Sequence, residues 1–261
     1  MPADNYETGS YKMINEMENS IEAFGQTDVG MMRTINQDSI FISTEPIGKL
    51  PNLFIVADGM GGHKAGDVAS KAAIEKFVKY ACSTHMIDPT NILNAGIQNI
   101  NEEIFEMANS NKDYNGMGTT FVACVILGKR AYVANVGDSR LYVINRKIEQ
   151  ITKDHSLVED MVRMGVLAPD AARNHLKKNV ITKAIGVQGS GSSAPDIFEV
   201  EVIPGDILLL CSDGLTNMVT DEEIRDIVKE NDSLELAVSK LIAQANENGG
   251  KDNISAVLVR P

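Results

Sequence analysis

Short apolar runs and segments of helical periodicity alternate along this chain. Six of the apolar runs are rich in β-branched residues and bounded by Gly, Asn, Asp or Pro, which predicts strands. They cover residues 54–58, 118–127, 130–145, 198–203, 205–214 and 253–259. The third run is interrupted by Gly137-Asp138-Ser139, and we expect it to form a hairpin with this tripeptide as its turn.

Helical spacing of apolar residues predicts a helix over residues 65–82. An Asp-Pro pair at residues 88–89 predicts the start of a second helix, because proline favours the first helical position. Thr220 and Glu223 predict a capping box at the start of a third helix. A last helix over residues 234–247 is expected to end before two glycines.

The order of these elements predicts an α+β protein. It is neither strict βαβ alternation nor purely β, and the helices come in pairs between strands. We therefore predict a four-layer α/β/β/α sandwich, in which two antiparallel sheets are flanked by helix pairs. Residues 154–185 are rich in charge and weak in β pattern, which indicates a flap insert. We assign residues 24–261 to one domain and residues 1–23 to an N-terminal tail or extension.

Composition narrows the class of protein. The net charge of −12 argues against nucleic acid and anionic membrane as partners. No stretch approaches the roughly 20 apolar residues of a membrane span, and no secretory signal is evident. The three cysteines are far apart and form no CxxC pair, which indicates a reducing cytoplasm. The acidity has two interpretations: a solvated surface, or aspartates that are held together and need cations.

A glycine-rich segment points to the second interpretation without deciding it. Residues 54–70, FIVADGMGGHKAGDVAS, place one aspartate between an apolar run and four glycines. Aspartates also lie next to other strand-like runs, so the candidates are Asp38, Asp58, Asp138, Asp213 and Asp252. Converging carboxylates repel unless cations neutralise them, and Mg²⁺ and Mn²⁺ prefer such oxygens. Gly59 fits this interpretation, because its carbonyl could closely approach an ion. Each Asp-Gly pair is also an ordinary turn dipeptide, so both interpretations stay open here.

Eight motifs, which together extend from about Gln26 to Val259, resemble those of a known family in the same order. They are TDVGMMRTINQDS, VADGMGGHKAGDVAS, MGTTFVACVI, ANVGDSRLYVI, DHSLVEDMVRMG, NVITKAIG, GDILLLCSDGL and GKDNISAVLV. In this order the chain resembles the metal-dependent protein phosphatases of the protein phosphatase 2C type, in their bacterial form. The resemblance implies paired antiparallel sheets with a dinuclear Mn²⁺ or Mg²⁺ site at one edge.

The resemblance also implies a role for each candidate metal ligand. Asp58 would bridge both ions, the Gly59 carbonyl would bind one, and Asp213 and Asp252 would complete the other. Asp138 would join Asp213 at a weaker third site.

Two further site residues follow from the same motifs. Asp38 would hold a metal-bound water rather than an ion. Arg33 would grip the substrate phosphate, since a guanidinium offers a planar fork to two phosphate oxygens.

Departures from the eukaryotic pattern change the expected mechanism. Met60 replaces a histidine that is thought to protonate the leaving group, so we expect a metal-bound water to supply that proton. Gln37 replaces a metal-binding glutamate, which puts direct metal contact from that segment in doubt. His63 is expected to open the following helix, and His155 to be structural. The flap is the expected place for substrate choice.

The leading prediction is an active protein serine/threonine phosphatase. It would hydrolyse phosphoserine and phosphothreonine proteins with a metal-activated water, and reverse a bacterial Ser/Thr kinase, as a cytoplasmic monomer. One alternative is a catalytically silent phosphoprotein-binding module, which the presence of Asp58, Asp213 and Asp252 disfavours. Another is a different two-metal phosphoesterase, such as a nuclease, which the acidic composition disfavours.

Overall fold

The computed structural model describes residues 21–62, 65–172, 175–187 and 194–261. Most of the predicted tail, residues 1–20, and His63 lie outside these ranges. The strands are β1 Glu22–Asp28, β2 Asp38–Ser43, β3 Leu53–Met60, β4 Gly118–Thr119, β5 Phe121–Leu127, β6 Arg130–Val136, β7 Arg140–Ile144, β8 Ile148–Gln150, β9 Asp196–Glu201, β10 Ile207–Cys211 and β11 Ile254–Arg260. The α-helices are α1 Ala65–Ser83, α2 Pro89–Ser110, α3 Leu157–Arg163, α4 Pro169–Ala172, α5 Asp213–Thr216, α6 Asp221–Lys229 and α7 Leu234–Glu247.

The strands form two antiparallel sheets. One has the order β1-β11-β10-β7-β8, and the other has the order β2-β3-β5-β6-β9, with β4 paired to β3. Because β1 starts at Glu22, the described fold begins two residues before the predicted start at residue 24. Among the described helices, none is long and apolar enough to cross a membrane.

Three apolar layers hold the molecule together and confirm the predicted four-layer α/β/β/α sandwich. The middle layer lies between the sheets and joins side chains such as Phe54 and Val122 to Leu208 and Val257. A second layer packs α1 and α2 on the sheet that contains β3. The third layer packs α6 and α7 on the sheet that contains β11. Both sheets are therefore buried on both faces, which explains why their central strands read as continuous apolar runs.

The predicted hairpin across residues 130–145 is wrong. β6 pairs with β5 and β9, whereas β7 pairs with β10 and β8, so the two strands belong to different sheets. The Gly137-Ser139 tripeptide is a crossing between the sheets. Gly137 adopts a φ of +106°, and a Cβ atom at this position would lie 2.6 Å from Thr120 Cγ2. A turn signal is local, and here the pairing of each strand with distant partners outweighs it.

The predicted helix ends are confirmed. Asp88 caps α2 by accepting a hydrogen bond from the Asn91 backbone, and proline occupies the first turn. Thr220 and Glu223 form both halves of the capping box at α6. These ends could be predicted because capping depends on residues within a few positions of each other.

The flap, residues 154–185, contains the short helices α3 and α4. Its two ends are joined by a bridge between Ser156 and Ile181, and a second bridge joins Ile185 to Thr119. The buried Asn101 of α2 accepts a hydrogen bond from the Gly186 backbone at 2.8 Å. The flap is thus anchored at its base, next to β4.

We expect Gly137→Ala to lower the free energy of unfolding by about 3 kcal/mol, measured by urea denaturation. Left-handed strain of roughly 1–2 kcal/mol would add to a steric cost of roughly 1–3 kcal/mol. Gly128→Ala is the matched control, because Gly128 has a φ of +58° and no heavy atom within 4 Å of its missing Cβ. Equal losses in the two variants would contradict a tight crossing at Gly137.

Candidate active site

Six of the seven predicted site residues line one cleft of about 270 Å³. They are Arg33, Asp58, Gly59, Asp138, Asp213 and Asp252. Asp38 is the seventh, and it lies directly beside Asp58 on the neighbouring strand, as its partner in the β2–β3 register. The cleft is also lined by two flap residues, Asn179 and Ile181.

The sheet topology explains why these residues meet. β2 and β3 are antiparallel, so the start of β2 at Asp38 and the end of β3 at Asp58 share one edge. β10 and β11 are also antiparallel, so Asp213 follows β10 at the same edge at which Asp252 precedes β11. The crossing between β6 and β7 brings Asp138 to this edge from between the two sheets.

Burial, reinforced by repulsion between the carboxylates, dominates the electrostatics of the cleft. Burial, together with the negative charges of Asp38, Asp213, Asp138 and Asp252, raises the pKa of Asp58 well above its ordinary value. The pKa of Asp138 is likewise raised well above its usual range, by burial and by Asp213. Burial and then Asp252 raise the pKa of Asp213 to about 6. Burial and mutual repulsion therefore favour the protonated forms of these groups, and bound cations would favour the ionised forms.

Asp38 has one satisfied and one unsatisfied carboxylate oxygen. Its Oδ2 accepts hydrogen bonds from the Ser212 and Ser255 hydroxyls, each at 2.7 Å. Its Oδ1 is buried and has no hydrogen-bond partner among the described residues. Burial raises the pKa of Asp38 to about 7, although both serine hydrogen bonds oppose this change. An unpaired buried carboxylate oxygen is costly, and it fits a site that takes up water or cations.

Gly59 is required for close backbone packing. A Cβ atom on Gly59 would lie 2.0 Å from the Gly66 carbonyl oxygen and 2.6 Å from the Gln37 carbonyl oxygen. The Gln37 carbonyl accepts hydrogen bonds from the Gly59 backbone at 3.1 Å and from the Ser70 hydroxyl at 2.6 Å. The glycines thus let the start of α1 pack against the end of β3, which is a packing reason in addition to the predicted approach to an ion.

Arg33 and Asp252 are in direct contact across the cleft. Arg33 Nη2 lies 2.9 Å from Asp252 Oδ2, and the arginine side chain is about half exposed. The Arg33 loop is fixed by hydrogen bonds from the Met31 and Met32 backbones to the Gly250 carbonyl. The guanidinium is therefore held at the rim of the cleft, where it is accessible from solvent.

Two residues that sequence reasoning missed organise the site. The buried Asn253 accepts a hydrogen bond from the Gln37 backbone and donates to the carbonyls of Val29 and Ile35. The Thr120 hydroxyl accepts a hydrogen bond from the Asp58 backbone at 2.9 Å. The sequence could have indicated Asn253, because it directly follows the candidate ligand Asp252 in the KDN triplet. For Thr120, the sequence offers no such indication beyond its place in a predicted strand.

His155 contacts the crossing rather than the cleft. Its Nδ1 accepts a hydrogen bond from the Gly137 backbone at 3.0 Å, and its Nε2 lies 3.2 Å from Asp196 Oδ2. Burial and the neighbouring Lys183 lower the pKa of His155. A neutral imidazole in this position supports the backbone next to Asp138.

The described carboxylates share a cleft without forming a closed ligand set. No three acidic, histidine or cysteine side chains in the described part of the chain are already arranged to hold a metal ion. Arg33 engages Asp252, and two serines engage Asp38. The donor chemistry nevertheless fits hard divalent cations, because it consists of carboxylates and a backbone carbonyl.

Comparisons with known proteins agree with this geometry. The chain matches the family described as Protein phosphatase 2C over residues 32–258. The serine/threonine phosphatase stp of Listeria welshimeri is 42% identical over 243 residues, which cover 90% of this chain and 93% of that protein. Protein phosphatase PhpP of Streptococcus pneumoniae is 39% identical over 237 residues, which cover 89% of this chain and 94% of that protein.

Solved structures give the same result. Serine/threonine phosphatase Stp1 of Staphylococcus aureus has a TM-score of 0.86 at 36% identity, covering 100% of this chain and 99% of its own. The catalytic domain of PstP, solved in complex with 2 manganese ions, has a TM-score of 0.79 at 30% identity. The match covers 92% of this chain and 97% of that one. The chain therefore belongs to the protein phosphatase 2C family and is a bacterial metal-dependent protein serine/threonine phosphatase.

Proposed function

We propose that the carboxylate cleft is the catalytic site and that it uses two Mn²⁺ or Mg²⁺ ions, with a third between Asp138 and Asp213. The observation that carries this proposal is the convergence of Asp58, Asp213 and Asp252 on one cleft. Burial and mutual repulsion disfavour the charged carboxylates there. Divalent cations relieve both costs.

Each residue has a role that its position supports. Asp58, the Gly59 carbonyl, Asp213 and Asp252 would hold the two ions, with Asp58 as the shared ligand. Asp38 lies beside Asp58 with a free Oδ1. That oxygen is suited to accept a hydrogen bond from water, while Ser212 and Ser255 fix the other oxygen.

The chain's own groups bind and orient the phosphate. Once bound, the two cations polarise the phosphoryl oxygens and make the attacking water more acidic. Arg33 presents two N–H groups to the phosphate oxygens from the rim of the cleft. Met60 lines the cleft but has no proton to donate, so the leaving serine or threonine oxygen takes its proton from water.

We extend the proposal to the biological setting of the enzyme. We propose that the enzyme acts as a monomer, because Asp58, Asp213 and Asp252 meet within one chain and need no second copy to assemble the cleft. The free cysteines, of which Cys124 and Cys211 are buried, support a reducing cytoplasm. Phosphoserine and phosphothreonine proteins are products of Ser/Thr kinases, and we propose that this enzyme reverses one of them. We propose that the catalytic domain comprises the predicted residues 24–261. Glu22 and Ala23 also belong to it, because β1 begins at Glu22.

The direct test is hydrolysis of p-nitrophenyl phosphate and of a phosphothreonine peptide across a Mn²⁺ titration. We expect activity with Mn²⁺ and none after EDTA. Asp58→Asn should fold normally and lose roughly 10²-fold or more in rate, since the loss of a group that only hydrogen-bonds a metal ligand already costs about 10–100-fold. Asp226→Asn, at an exposed position on α6, is the matched control. Full activity in EDTA would refute the metal proposal.

The metal-free protein should lose stability as pH rises from about 4 to 7. Folded Asp38 has a pKa of about 7 against an ordinary value of 3.8. In this window the folded state keeps a proton that the unfolded chain has released, so the free energy of unfolding falls with pH. Asp38→Asn removes this contribution and should flatten the curve.

Urea denaturation at pH 5 and pH 7.5, in EDTA and in Mn²⁺, checks this prediction. Mn²⁺ should stabilise the original chain at pH 7.5, by about 2.7 kcal/mol at a hundredfold excess over its Kd. The prediction fails if the difference in stability between Asp38→Asn and the original chain is the same at both pH values in EDTA.

Arg33→Ala should raise KM for a phosphothreonine peptide by about 10–100-fold with a smaller effect on kcat. A hydrogen bond to a charged group contributes roughly 1.5–3 kcal/mol, and the phosphate is bound in both the ground and transition states. Arg130→Ala is the control, because Arg130 is an exposed arginine paired with Glu199 on a different part of the surface. An unchanged KM in Arg33→Ala would remove Arg33 from phosphate binding.

A further inference from the structure

Two consecutive methionines are exposed directly before Arg33. Met31 is 66% exposed and Met32 is 71% exposed. Ile35, two positions after Arg33, is also one of the exposed large apolar residues of the described surface. Single exposed apolar residues are common and need no explanation. A group of them around the arginine that we assign to phosphate binding does need one.

The backbone of this turn is fixed, so the exposure of the methionines is not that of a loose loop. The Met31 and Met32 backbones donate hydrogen bonds to the Gly250 carbonyl at 2.8 and 3.1 Å. Gly30 has a φ of +77°, and a Cβ atom on it would lie 2.2 Å from the Asp252 carbonyl oxygen. The turn is therefore packed against the loop between α7 and β11, and this packing leaves both methionines at the surface.

Apart from Arg33, the turn offers no charge to an incoming chain. Arg33 is the only charged side chain within residues 29–35. The preceding Asp28 is engaged, because its Oδ1 accepts hydrogen bonds from the Gly30 backbone at 2.8 Å and from the Asn246 side chain at 3.1 Å. The turn thus presents one cation beside an apolar surface.

A segment of the substrate is the occupant that this position favours. A phosphoprotein whose phosphate contacts Arg33 must carry its neighbouring residues across the surface next to Arg33. Two side chains cover far less than the roughly 800 Å² on each partner of a stable protein–protein interface, so they suit a short segment better than a second copy of the enzyme. Methionine is flexible and polarisable, which lets it adapt to side chains of different shapes.

We propose that Met31 and Met32 form a specificity surface, here called the methionine rim, for an apolar side chain of the phosphoprotein close to the phosphorylated residue. The inference rests on the proposed binding of the phosphate by Arg33. Met32 directly precedes Arg33, and an extended chain spans about 3.3–3.6 Å per residue. The apolar residue therefore lies within three positions of the phosphorylated one.

The experiment compares phosphothreonine peptides that carry leucine or glutamine at each position from three before to three after the phosphothreonine, in Mn²⁺. The measured quantity is the ratio of kcat/KM for the two peptides, which cancels any change in basal rate, including one caused by a shift of Arg33. At one position we expect the original chain to prefer leucine by roughly three- to tenfold, as for partial burial of an apolar side chain. The preference should persist at high salt, because salt screens charges and not apolar contacts.

The variants test the methionine rim directly. Met31→Gln combined with Met32→Gln should remove most of the leucine preference, whereas Met31→Leu combined with Met32→Leu should keep it. Met86→Gln is the matched control and should also keep it. Met86 is an exposed methionine too, but it follows the far end of α1, about 28 Å along the helix from the end that packs on Gly59.

Three results would overturn the methionine rim. The first is equal turnover of leucine and glutamine peptides by the original chain, and hydrolysis of p-nitrophenyl phosphate in Mn²⁺ would then show that the phosphatase function itself stands. The second is a leucine preference that survives in the double glutamine variant or is lost equally in Met86→Gln. The third is a dimer of the original chain, seen by analytical ultracentrifugation, that dissociates in the double glutamine variant while the peptide preference stays the same.

Discussion

The burial of mutually repelling aspartates at the shared edge of two sheets is the constraint on which this structure depends. Asp58 and Asp213 are placed where burial and neighbouring negative charge both disfavour ionisation. Such a site is unfavourable without cations, so the apolar layers on both faces of each sheet must hold the edge in place. Metal dependence of the enzyme follows from this arrangement, because cations convert the repulsion into attraction.

Close backbone packing allows so many polar groups to meet in a small volume. Gly59 leaves room for the Gly66 carbonyl, and this contact brings the start of α1 against the end of β3. The Asn253 side chain joins the Arg33 loop to the start of β11, because it forms hydrogen bonds with three backbone groups of that loop and its flanks. The arginine and the carboxylates are therefore positioned by rigid segments, as a site that must orient a phosphate requires.

The flap extends the site beyond the metal-binding edge. Asn179 lines both the catalytic cleft and an adjoining cavity, so the flap forms part of the wall between them. His155 connects the base of the flap to the backbone before Asp138. The flap, whose sequence is charged and irregular, thus lines the space beside the catalytic cleft. This position is a reason to expect that the flap contributes to substrate choice.

Sequence by itself determined the central strands, the long helices, the capped helix ends and the candidate residues Arg33, Asp58 and Asp252, because these depend on periodicity and motifs within short stretches. It did not predict β1, β2 and β8, which lie at sheet edges. Tertiary structure decided which strands pair. It therefore converted the expected hairpin at Gly137 into a crossing between sheets. It also decided that Arg33 contacts Asp252, 219 positions away, and that Asp38 keeps one oxygen free. Contacts of this kind arise only when distant segments pack together, and no local pattern in the chain encodes their geometry.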